Sequence, residues 1–416
     1  MNTRKLVVVT AVLLALLLVV TGCSKKEAPS VPAAQQAQQA QPVQPTQPAQ
    51  PAVEVVIPAG LADGIYFAME DTFPASGWRE TVTLTVEGGK VVDVDWNGVN
   101  IAGGVDKKAY DKAGRYNMVK FGAARAEWYQ QAADVEAYLV ANQKTGTVDE
   151  IGSVSIHVDE LNNLVAKALA AGPVGRGPLA DGAYFAIGDD YPSDWKEWVS
   201  LTVINGRIAG ANWSALNRTG DEKKAYDKAG KYNMVKFGQA RAEWWEQAYD
   251  TEQYLIENQK TGSVDEIGSV SIHVDAFDEL VEQALANGPV QMGPWADGVY
   301  YAIADSYDNG GWKTTATLYV HNGNIVNVYY SGLDKDGRDK QVVASQGGYG
   351  MIKASPIKKE WDEQAQAVEA YLIKTQDPSK IKLNNDGSTD EIAGASMTVS
   401  DFFTLAQKAL AAGPRR

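Results

Sequence analysis

The sequence predicts an α+β protein of three tandem domains, each an antiparallel sheet packed by helices, and three observations lead there. First, Leu61-Ala62-Asp63-Gly64-Ile65-Tyr66-Phe67 recurs from Leu179 and again from Trp295, with its Asp-Gly pair spaced by 118 and then 116 residues. A chain of that length buries a core of its own, so the repeat reads as three complete domains, three beads rather than a stacked solenoid. Second, Thr81–Val86 and Val91–Trp96 alternate in polarity around the turn Glu87-Gly88-Gly89-Lys90, and Asn205-Gly206 and Asn322-Gly323 stand at the matching turns of the later repeats. Alternation on both sides of such a turn signals a hairpin. Third, Leu161, Leu164, Val165, Ala168 and Leu169 follow the spacing of one buried helical stripe, repeated by Phe277, Leu280, Val281, Ala284 and Leu285, and by Phe402, Leu405, Ala406, Ala409 and Leu410.

Taken in order, residues 1–22 read as a lipoprotein signal peptide. Arg4 and Lys5 precede an apolar run from Leu6 to Val20, which is short for a membrane span and ends at Val20-Thr21-Gly22-Cys23. Small residues before a lone cysteine and polar ones after it resemble the lipobox of bacterial lipoproteins, so Cys23 is the expected lipid attachment point. Residues 23–58 follow as a spacer rich in Pro, Gln and Ala, without the clustered apolar residues that offset chain entropy. The domains then span 59–174, 175–291 and 292–416, closed by Gly172-Pro173, Gly288-Pro289 and Gly413-Pro414, since Gly-Pro after a helix stops it. Within the first domain the pattern predicts strands, a helical segment from Gly122 to Gln143, and the terminal helix.

Thirty-eight basic residues against fifty-two acidic ones leave a net charge of −14, which argues against nucleic acid as a partner. The single cysteine and three histidines form no cluster with metal-ligand spacing, and no nucleophile-base-acid triplet stands out. Catalysis by side chains is not expected. A cofactor or a binding role is.

Ahead of the last terminal helix the chain reads Asp390-Glu391-Ile392-Ala393-Gly394-Ala395-Ser396-Met397-Thr398. This stretch resembles the Asp-x-x-Ser/Thr-Gly-Ala-Ser/Thr motif of the FMN-binding domain family, in whose covalent members the last hydroxyl is esterified to the FMN phosphate. Asp297-Gly298-Val299-Tyr300, Gly311-Trp312-Lys313, Asn322-Gly323 and Tyr349-Gly350-Met351 resemble the rest of the family's framework. The resemblance implies FMN on Ser396, with Asp390, Gly394, Ala395 and Thr398 around it. It also implies a flavin transferase as partner and unidentified redox partners. Glycine and alanine would let the backbone approach a phosphate, and a helix starting near Thr398 would aim free N–H groups at an anion. The same stretch also reads as a plain helix start, with Thr398 and Asp401 as a capping pair.

The first two domains carry Ser155 and Ser271 at the acceptor position, but Gly-Ala is replaced by Ser153-Val154 and Ser269-Val270. A β-branched valine there is expected to crowd the backbone, which makes these two weaker candidates. His157 and His273 fall two residues later, where they would reach a phosphate or serve the helix start. Trp78, Trp195 and Trp312, like Trp128, Trp244 and Trp361, occupy equivalent positions and read as packing residues rather than flavin-stacking ones. The expected function is that of a lipid-anchored electron carrier facing outside the cytoplasm at the cell membrane or outer membrane. The alternative is a structural or ligand-binding lipoprotein of the same fold without flavin.

Overall fold

In the computed structural model, residues 54–415 are described, so the predicted signal peptide, Cys23 and nearly all of the spacer lie outside the described residues. The three repeats form three sheets of three strands, in the orders β1 (Gly64–Met69), β2 (Trp78–Glu87), β3 (Lys90–Asn100), then β4 (Gly182–Ile187), β5 (Lys196–Ile204), β6 (Arg207–Leu216), then β7 (Gly298–Ile303), β8 (Lys313–His321), β9 (Asn324–Leu333). All neighbours are antiparallel. Positive φ at both central turn residues, 58° and 72° at Gly88 and Gly89, 52° and 67° at Asn205 and Gly206, 49° and 74° at Asn322 and Gly323, matches the twist of the flanking strands.

The repeated Asp-Gly-x-Tyr motif is the clasp of each unit. Asp63, Asp181 and Asp297 accept from the turn amides of Gly89, Gly206 and Gly323 at 2.9, 2.7 and 2.7 Å. Gly64, with φ of +143°, sits where a side chain would meet Pro173 at 3.0 Å, and Gly182 and Gly298 stand in the same relation to Pro289 and Pro414. Opening glycine and closing proline therefore touch. Just past the prolines, Val174, Val290 and Arg415 donate to the carbonyls of Ile65, Ala183 and Val299, so each unit ends on its own first strand.

The central helices are Trp128–Asn142, Trp244–Asn258 and Trp361–Thr375. The first is shorter than the predicted 122–143 because Glu127 and Gln130 make a capping box that starts it afresh, while Met118–Gly122 forms a separate turn ending at Ala123, whose φ is 51°. Each central helix ends at a left-handed glutamine, Gln143, Gln259 or Gln376. Its side-chain amide bonds both backbone groups of Val91, Ile208 or Ile325, which ties the helix to the edge strand. Terminal helices Asp159–Ala171, Asp275–Asn287 and Ser400–Ala412 lay the predicted stripes on the sheets, and each unit has its own apolar core. Val55 to Ile57, expected as spacer, join the first unit: Ile57 is buried in its core and Thr145 holds Val55.

Separate beads are not what the fold builds, since the units belong to one compact body with buried contacts between them. Ser200 of the second unit is fully buried; its hydroxyl accepts from the amide of Gly104 in the first unit at 3.0 Å and meets His321 Nε2 of the third at 2.8 Å. His321 lies among the rings of Phe185, Trp198 and Tyr319, and Arg79 of the first unit donates to the carbonyl of Ala209 in the second. The sheet faces that a lone domain would wet are used here to join domains.

Candidate functional site

The three serines at the expected acceptor position sit in one geometry. A glutamine on the central helix, Gln131, Gln247 or Gln364, is fully buried and points its carbonyl at the serine. The amide of Ser155 donates to it at 2.6 Å and the hydroxyl at 3.1 Å; Ser271 repeats both distances, and Ser396 gives 2.8 and 3.2 Å. The glutamine amide in turn donates to the carbonyl of Ala126, Ala242 or Lys359. A buried carbonyl shared between N–H and O–H fixes the loop ahead of the terminal helix in every unit.

Differences begin around that pair. In the first two units Asp149-Glu150-Ile151 and Asp265-Glu266-Ile267 form one-turn helices boxed by Thr147 and Ser263, and the left-handed residue is Gly152 or Gly268. In the third unit the connection from Gln376 to Asp390 is longer, Glu391 accepts from the Tyr371 hydroxyl, and the left-handed residue is Gly394, with φ of +98°, one position later. Ala393 stands where the family motif has a hydroxyl residue. Val154 and Val270 are buried in the core, where the third unit has the half-buried Ala395. Ser155 and Ser271 are exposed, whereas Ser396 is half-buried. A side chain at Gly394 would come within 3.2 Å of the Lys359 ammonium, a cation whose place is taken by Ala126 and Ala242 in the other units.

Two sequence expectations are corrected here. The terminal helix begins at Ser400 with Val399 as its cap, and no side chain caps it. Thr398 instead donates to the carbonyl of Asp386, so it makes no capping pair with Asp401. His157 and His273 are exposed and precede helices that begin at Asp159 and Asp275. Asp390 is exposed too. The residues present fit a phosphate at its point of attachment, through a half-buried hydroxyl, a glycine in the left-handed region and a nearby ammonium. Cavities of about 510, 490, 300 and 270 Å³ line other residues, and none of them includes Ser155, Ser271 or Ser396.

The repeated tryptophans belong to a second constellation, which the sequence reading missed. Lys107, Lys223 and Lys340 are buried, with their ammonium groups 4.0, 4.1 and 4.5 Å from the ring centres of Trp128, Trp244 and Trp361. Tyr116, Tyr232 and Tyr349 supply a second wall. Lys107 also pairs with Glu80 at 2.9 Å and Lys223 approaches Glu197 at 3.8 Å, but Thr314 occupies that position in the third unit. Burial pulls Lys340 down to about 8. The next residue differs as well. Lys108 and Lys224 pair with the helix carboxylates Glu136 and Glu252, whereas the third unit has Gln341 beside Glu369, and burial pushes that carboxyl up to about 7. Lys, Gln and Glu recurring at equivalent positions were visible in the sequence once the repeats were aligned; their burial was not.

Among the described residues no group of three histidines, cysteines or acids is placed to hold a metal, and no helix is long and apolar enough to cross a membrane. No protein-family model and no curated protein matches the chain. Two solved structures do. One is a solution structure of a Clostridium thermocellum protein, 51% identical over 28% of this chain and 90% of that one, with a TM-score of 0.24. The other is a crystal structure of a Clostridium perfringens protein, 24% identical over 26% of this chain and 88% of that one, with a TM-score of 0.21.

Proposed function

We propose that the chain is a lipid-anchored electron carrier outside the cytoplasm, tethered through Cys23 and bearing FMN as a phosphoester on Ser396. The observation that carries this reading is a difference among three loops that share the same glutamine and serine pair. Of three serines held by three buried glutamines, only Ser396 directly follows a left-handed glycine and a small alanine, and the Lys359 ammonium lies 3.2 Å from where a side chain at Gly394 would sit. Bound flavin would supply the redox chemistry. Gln364 would orient the serine oxygen, Gly394 would leave room at the backbone, and Lys359 would offset the phosphate charge. The hydroxyl donates to a glutamine carbonyl, which cannot take its proton, so a flavin transferase would be required to make the ester.

Exported wild-type protein made with a compatible transferase is expected to gain the mass of one FMN less water, and Ser396→Ala to gain nothing while its circular dichroism stays unchanged. Unmodified wild type beside an active transferase would falsify the ester. A second reading, a ligand-binding lipoprotein without flavin, is favoured by the recurrence of the glutamine and serine pair in all three units, because a pair that serves every loop needs no cofactor to explain it. Added mass at Ser155 or Ser271 would instead show that the pair itself is the attachment site.

A further inference from the structure

We propose that the apolar cavity beside His321, between the second and third units, binds an uncharged, mainly apolar molecule through a carbonyl oxygen. The inference comes from an imidazole N–H that has no acceptor in the protein, and it does not rest on the flavin reading.

The cavity measures about 490 Å³ and lies along β4, an edge strand of its sheet, beside the β8–β9 hairpin and the end of the third unit's central helix. Phe185 and Ile187 of the second unit, Ile325 and Ile373 of the third, and Val290 of the segment joining them give it apolar walls. The polar side chains that line it are amides and His321, and no Asp, Glu, Lys or Arg takes part. An apolar enclosure of this volume suits a small neutral molecule, because an ion would be left there unpaired.

His321 is the exception in that wall. Ile204 holds the equivalent position in the second unit, before the turn Asn205-Gly206, and is buried with Phe67, Met69 and Phe73 packed around it where the first and second units meet. An aliphatic side chain therefore seals this position at the other junction, and packing alone does not call for an imidazole. His321 is buried, stacks on the Phe185 ring at 5.1 Å, and meets the Ser200 hydroxyl through Nε2 at 2.8 Å.

That hydroxyl fixes the tautomer. Ser200 Oγ accepts from the Gly104 amide at 3.0 Å, and among the described residues His321 Nε2 is the one acceptor within reach of the serine's own proton. Nε2 is thus the acceptor, and burial, which lowers the imidazole's pKa, keeps the ring neutral. The ring proton then sits on Nδ1. Among the described residues Nδ1 has no hydrogen-bond partner, and it is not one of the polar atoms that packing seals from solvent. Because His321 lines the cavity, a ligand oxygen there can supply the missing acceptor. A ketone oxygen suits the place, since it accepts a hydrogen bond and brings no charge into apolar walls.

Titration calorimetry of the full chain with 1-tetralone, and with tetralin as the same skeleton without its oxygen, tests the proposal. One tetralone is expected to bind saturably, and tetralin about tenfold more weakly, a difference of about 1.4 kcal/mol. His321→Ile, which installs the residue of the other junction, should bring the two ligands to equal affinity, and Ile187→Trp, which fills the cavity, should remove both. Nitrogen resonances of histidine-labelled protein need no variant, since His157 and His273 are exposed and titrate freely while the buried ring does not. They should show the proton of His321 on Nδ1, with a resonance that moves on adding tetralone and stays on adding tetralin. Ser396→Ala should bind as wild type does, which separates this site from the flavin reading. A proton on Nε2, no saturable binding of tetralone, tetralin bound as tightly as tetralone by wild type, or a preference for the ketone that survives in His321→Ile would each overturn it.

Discussion

The first and third units share one framework but pair its buried charges differently. In the first, Lys107 and Lys108 each hold a carboxylate, Glu80 and Glu136, at 2.9 and 2.6 Å. In the third, Lys340 has only its aromatic walls, and Glu369 has only neutral donors. Both sheets, both central helices and both clasps form all the same. The lesson is that apolar burial and the clasp hold this fold, while the ion pairs neutralise groups that the fold has buried. Where the pairs have been lost, a base and an acid are left free for other work.

The largest expected effect tests that statement at the lysines. Lys107→Met strands Glu80 beside the core and should destabilise the protein by about 3–5 kcal/mol in chemical denaturation. Lys340→Met strands nothing and should stay within about 1 kcal/mol of wild type. Equal losses at both positions would show that the aromatic walls, not the acids, set the balance. A pH series sharpens the test. A lysine depressed to about 8 in the fold is less protonated there than in the unfolded chain, so its burden on stability lifts as pH rises from about 8 towards 10.5. Lys340→Met should lack that rise.

The next effect lies at the carboxylates. Glu369 binds its proton more tightly folded than unfolded, so wild-type stability should fall as pH climbs from about 4.5 to about 7 and stay low above it. Glu369→Gln keeps an oxygen for the Tyr330 amide and should be more stable than wild type at pH 8, by on the order of 1–2 kcal/mol, with a flatter pH profile. A variant less stable than wild type at pH 8 would mean that Lys196 already compensates the charge across the junction.

The smallest effect should be the same in every unit. Gln131→Ala, Gln247→Ala and Gln364→Ala each remove the acceptor shared by a serine amide and hydroxyl that water can reach, at a cost of about 0.5–1.5 kcal/mol. A loss confined to the first two would set the third loop apart before any cofactor is considered.

Much of this was readable in the sequence, and for local reasons. Hairpin turns show as Asn-Gly because only residues that tolerate positive φ sit there, and terminal helices show as stripes because one face must be apolar. The loop around Ser396 stood out in the sequence by its Gly394-Ala395-Ser396 run. Side-chain directions did not: Val154 turns into the core, and Val399 rather than Thr398 stands at the helix cap. Those directions are set by packing, which the sequence spacing does not record.

The sequence by itself determined the three units, their α+β class, the turns and the stripes, because each depends on residues close together in the chain and on the periodicity of their side chains. Only the tertiary structure decided that the units share buried surfaces, that Ser200 joins Gly104 to His321, and that exchanges such as Tyr249 for Gln366 open a cavity. Those contacts join residues on the order of a hundred positions apart, and no local pattern records a partner that only folding brings within reach.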